Sequence, residues 1–99
     1  MNNIEFDDEF YSSVDKFIHL ANKLAKDVGD EKLTAILNFA ASRYSAYLAA
    51  SNSQDKAEFK KLRNETLDYF CPIYKRNLER NLAHFENNYE NFIEKYRNT

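Results

Sequence analysis

The chain has 99 residues, with Lys+Arg 14 against Asp+Glu 16 and a formal net charge of −2. It holds one Gly, one Pro, one Cys and no Trp, beside seven Tyr and eight Phe. So little turn-forming residue excludes a sandwich or barrel with many hairpins, a single Cys excludes a disulfide framework or a Cys-based zinc site, and no apolar run approaches the ~18–20 residues of a membrane helix or forms a signal-peptide core. The expectation is one soluble, cytoplasmic, all-α domain over residues 1–99.

The first fifteen residues carry Glu5, Asp7, Asp8, Glu9 and Asp15 and no base. Acids gather where a helix begins, because the free N–H groups of its first turn attract negative charge. Asp7 or Asp8 suits the N-cap; with Asp7 as cap, Phe6 and Tyr11 stand where a hydrophobic staple stands. Phe10, Val14, Phe17, Ile18, Ala21, Leu24, Ala25 and Val28 then follow at steps of three and four, one face of a helix over about 8–28. Gly29 comes next, at the place where a helix end favours positive φ. Asp30 reads as the cap of the following helix. So short a connection predicts an αα-hairpin.

The second helix is expected over about 31–50. Residues 34–50 contain one charge, Arg43. Leu33, Ile36, Leu37, Ala40, Tyr44, Tyr47 and Leu48 form a stripe, and the remaining face is mostly Ala and Ser. A helix that is apolar or small nearly all round is expected to be buried on more than one side, as the central element. Ser51-Asn52-Ser53 reads as a break, and Ser51 with Gln54 fits a capping box.

A long helical stretch, about 53–97, is predicted beyond it. Pro72 removes a backbone donor and clashes with the preceding turn, so the stretch is expected to kink or break there. The apolar stripe nevertheless continues in phase from Phe59 and Leu62 to Phe92 and Tyr96. At 1.5 Å per residue, residues 72–97 reach roughly 39 Å beyond a three-helix unit. They therefore fold back at Pro72 or pack on another subunit. Leu82, Phe85, Tyr89, Phe92 and Tyr96 step by 3, 4, 3, 4, the rhythm of a coiled-coil seam. They are the candidate self-association residues, and a homodimer is the favoured assembly, because apolar patches of this extent are rare on monomers.

Chemistry-bearing residues are sparse. The Glu-x-x-His pattern of di-iron bundles is absent, since Lys16 and Asn81 stand three residues before His19 and His84. No metal and no cofactor is predicted. Cys71 has no base at a telling spacing and reads as buried packing rather than a nucleophile. Arg43, alone on an apolar helix, must pair or face a pocket. With Tyr44 and Tyr47 it forms the candidate site for an anion or small molecule. Lys60, Lys61, Arg63, Lys75, Arg76 and Arg80 are interleaved with Glu58, Glu65, Asp68 and Glu79, as on a solvated helix face, which disfavours nucleic acid. No glycine-rich phosphate loop exists. An enzyme is less expected than an interaction protein.

The runs Phe17-Ile18-His19-Leu20-Ala21-Asn22-Lys23-Leu24-Ala25-Lys26-Asp27-Val28 and Asn38-Phe39-Ala40-Ala41-Ser42-Arg43-Tyr44-Ser45-Ala46-Tyr47 carry a resemblance. So do Asp68-Tyr69-Phe70, Tyr74-Lys75-Arg76-Asn77-Leu78 and Asn81-Leu82. Over roughly residues 10–92 the chain resembles the short bacterial proteins labelled domain of unknown function 3144. The resemblance implies a small bacterial all-α protein of the cytoplasm and transfers no catalytic residue. That family usually reads polar and proline-free where Cys71 and Pro72 stand, a departure that argues for a kink peculiar to this chain.

Overall fold

A computed structural model describes the backbone of residues 4–97 and the side chains of residues 4–94. Four helices follow in order: α1 (Asp8–Val28), α2 (Asp30–Ser51), α3 (Lys56–Asn87) and α4 (Tyr89–Arg97). No strand occurs among the described residues. The chain divides into two units, Met1–Tyr47 and Leu48–Thr99.

In the first unit, Asp7 is the N-cap of α1. Its backbone is extended and its Oδ1 accepts the Phe10 N–H at 2.9 Å. The Phe6 ring stacks on Phe10 at 4.1 Å and meets Tyr11 edge-on at 6.1 Å. This is the expected staple, widened to three rings. Asp8 and Glu9 lie in the first turn and Lys26 in the last, each on the side the helix dipole favours.

Gly29 is the single residue between α1 and α2, at φ 87 and ψ 158. Its N–H donates to the Ala25 carbonyl at 2.8 Å, and its own carbonyl accepts the Leu33 N–H at 3.0 Å. Gly29 thus closes one helix and caps the next. Asp30 is not the cap but the first residue of α2, where its carbonyl accepts the Thr34 hydroxyl at 2.9 Å. The expected hairpin does not form as a packed pair, for α1 and α2 do not lie against each other. Antiparallel neighbours sit 8–10 Å apart, and hairpin loops of two to five residues span that gap. One residue is too short.

The expected burial of α2 does not hold either, since it contains no buried residue. Its Ala and Ser positions leave room for a close neighbour, but no neighbour on α1 fills it. Ala21, 7 % exposed, is the buried core residue among those described.

In the second unit, Ser51 ends α2, its hydroxyl donating to the Leu48 carbonyl at 3.0 Å. Ser51 is still helical, so it does not stand at the N-cap position of a capping box with Gln54. Asp55 caps α3 instead, its Oδ1 accepting the Glu58 N–H at 2.8 Å. The long stretch therefore starts at Lys56 rather than near 53.

α3 runs through Pro72 without a break. The break falls at Asn88, at φ −119 and ψ 25. Proline removes a single hydrogen bond, the one to the Asp68 carbonyl, at an exposed turn. Asn88 offers the backbone an alternative partner, since its Nδ2 donates to the His84 carbonyl at 2.9 Å. α4 then packs on the end of α3. Phe85 and Phe92 rings meet at 4.4 Å, and His84 and Phe92 at 5.3 Å. Seven residues of straight helix rise about 10.5 Å, so these contacts require the bend. The fold-back expected at Pro72 is thus a short one, made sixteen residues later.

Candidate functional site

Exposed apolar side chains stand in rows on α1 and α2, and Leu67, Tyr74, Leu78, Leu82, Phe85 and Tyr89 are exposed along α3 and at the start of α4. On α1, Phe17 is 66 % exposed and Leu20 53 %, with Val14, Ile18 and Leu24 also exposed. They surround the buried Ala21. Side chains on a helix lean toward its N-terminus, so a residue one turn on covers the turn before it. The polar side of α1 carries Asp15, Lys16, His19, Lys23 and Lys26, all exposed.

On α2, Arg43, Tyr44 and Tyr47 are brought to one face together with Ile36, Phe39 and Ala40. The Arg43 guanidinium carbon lies 4.9 Å from the Phe39 ring centroid, a cation–π contact one turn back along the helix. Arg43 is exposed, so it needs no buried carboxylate to neutralise it. The Tyr44 and Tyr47 rings stand 6.5 Å apart and tilted. Every side chain of this surface comes from α2, which makes it an open stripe rather than an enclosed pocket. Phe39, missed as a partner of Arg43, was legible from its i,i+4 spacing.

The seam Leu82, Phe85, Tyr89, Phe92 and Tyr96 is divided by the bend at Asn88. Leu82, Phe85 and Tyr89 are exposed, Phe85 and Phe92 face each other within the chain, and the Tyr96 side chain lies outside the described residues. The His84–Phe85–Phe92 cluster was missed because its signal, the pair Asn87-Asn88 inside an apolar rhythm, looks like a mild loss of helix propensity.

Cys71, expected in packing, is exposed. Among the described residues no three His, Cys, Asp or Glu side chains gather as a metal site. None of the described helices is long and apolar enough to cross a membrane.

The family model described as protein of unknown function (DUF3144) matches residues 10–93. The chain belongs to this family. The DUF3144 match takes in α1 from Phe10 onward, all of α2 and the bend at Asn88 with its Phe85–Phe92 contact. No curated protein and no solved structure matches the chain.

Proposed function

We propose that this DUF3144 chain is a protein-interaction module of the bacterial cytoplasm that acts by associating with itself, as a homodimer. One observation carries the reading: α1 is strongly amphipathic, yet Phe17, Ile18, Leu20 and Leu24 are exposed on it. Helices in proteins owe most of their stability to the packing of an apolar face, not to intrinsic propensity. A chain of this size that folds alone hides about 60 % or more of the surface its unfolded form exposes. Ala21 is the buried core residue among those described, and a second chain laid on this face supplies that packing. Each exposed Leu, Ile or Phe gains about 1.5–3 kcal/mol when fully covered, so a few of them offset the entropy of bringing two chains together.

Light scattering behind size exclusion tests the reading. The expected result is a mass of about twice the chain's 11.7 kDa, falling toward one copy on dilution. A helical species of single-chain mass at every concentration overturns it.

A further inference from the structure

We infer that the self-association runs through α1, which pairs with α1 of a second copy in antiparallel fashion about a two-fold axis level with His19. The inference rests on the self-association reading and adds to it the surface, the direction and the register.

Three features of α1 carry it. The first is spacing. Phe10, Val14, Phe17, Ala21, Leu24 and Val28 step by 4, 3, 4, 3, 4, a continuous a/d seam along the whole helix. A two-fold interface must be self-complementary, so that residue i meets residue j and j meets i. In an antiparallel pair centred on position 19, Phe10 meets Val28, Val14 meets Leu24 and Phe17 meets Ala21. All six seam positions are used. Shifting the pair by one heptad in either direction leaves two of them without a partner.

The second is volume. This register sets the large Phe17 against the small Ala21, twice, once on each side of the axis. A parallel pair sets Phe17 on Phe17 and Ala21 on Ala21, which overfills one layer and leaves a void in the next. The flanking side chains agree, because Ile18 meets its own copy on one side of the axis and Leu20 on the other. Both are exposed in the single chain.

The third is charge. Within α1, residues 8–18 hold Asp8, Glu9 and Asp15 against Lys16, a net −2, and residues 19–28 hold Lys23 and Lys26 against Asp27, a net +1. Antiparallel pairing lays these halves on each other and brings Asp15 level with Lys23, while Asp8 comes level with Asp30 at the start of α2. Parallel pairing lays acid on acid. The helix dipoles favour the same direction.

The test uses spin labels on the full chain. Cys71 is exposed and is replaced first (Cys71→Ser), so that one label per chain is placed by Ser12→Cys, His19→Cys or Lys26→Cys. These three positions are exposed and lie on the side of α1 away from the seam, seven residues apart, so their lateral geometry in a pair is equivalent. In the proposed dimer, equivalent labels are offset along the axis by about 3 Å for each residue from position 19. The offset is zero at 19 and about 21 Å at both 12 and 26. Dipolar spectroscopy is therefore expected to give the shortest distance at 19 and longer, equal distances at 12 and 26. Equal distances at all three positions overturn the direction, and a minimum elsewhere overturns the register. A dimer by light scattering with no dipolar coupling from any α1 label overturns the inference and leaves the self-association reading standing. A single-chain mass overturns both.

Discussion

Replacing Gly29 by alanine should straighten the first 44-residue helical span, Asp8–Ser51, into one rod. Gly29 sits at φ 87 and ψ 158, a region essentially restricted to glycine. A Cβ built there meets nothing within 4 Å, so the obstacle is the backbone conformation alone. Holding alanine at those angles costs about 1–3 kcal/mol. Letting it adopt helical angles avoids that cost and adds about 1 kcal/mol from the better propensity of Ala over Gly. The hydrogen bonds on either side, Gly29 N–H to Ala25 and Leu33 N–H to Gly29, already have helical i to i−4 spacing. Since α1 and α2 do not pack on each other, little resists the change. The balance is about 2–4 kcal/mol for the straight form, roughly 30- to 1000-fold in population. With labels at Lys16→Cys and Ser42→Cys on a Cys71→Ser background, diluted with unlabelled chain, Gly29→Ala should lengthen the distance to about 39 Å between backbones. A distance unchanged from that of the Gly29 chain refutes the reasoning, because it means that contacts elsewhere, not glycine, hold the bend.

Two further substitutions test local features of the second unit. Asp55→Ala removes the cap of α3 and should cost about 1 kcal/mol in thermal or urea unfolding, whereas Ser51→Ala should change stability by less than about 0.5 kcal/mol; equal effects would return the cap to Ser51. Pro72→Ala restores the bond to the Asp68 carbonyl in mid-helix and should stabilise the chain by up to about 3 kcal/mol. A lower melting temperature in that variant would show that the bend-prone backbone at Pro72 is used in packing.

The start and end of α1 were legible because each rests on one residue with one physical role. Asp7 accepts the Phe10 N–H, which has no partner within the helix, and Gly29 adopts angles that other residues avoid. The same logic misplaced the later boundaries where two residues compete for a role. Ser51 and Asp55 both suit a cap, and the choice follows from α2 extending through Ser51 and α3 starting only at Lys56. Pro72 and Asn88 both suit a break, and periodicity weighs a missing donor more heavily than a side chain that rebinds the backbone. Burial of α2 was misjudged for a different reason. Small, uncharged residues permit close packing, but composition does not supply the neighbour. The candidate residues Arg43, Tyr44 and Tyr47 share one face as their spacing requires, whereas the C-terminal seam was read on the assumption of a straight helix.

The hydrogen bonding of this chain also sets an order of events in time. Caps and side-chain bonds such as Asp7 to Phe10, Thr66 to Leu62 and Asn88 to His84 close over three or four residues. Local helical turns of this kind equilibrate within about a microsecond, with no long loop to close beforehand. In the dimer proposed above, what remains is the collision of two partly helical chains, a step whose rate rises with concentration. Folding of that dimer is second order, and its half-time in a cell follows how many copies are made.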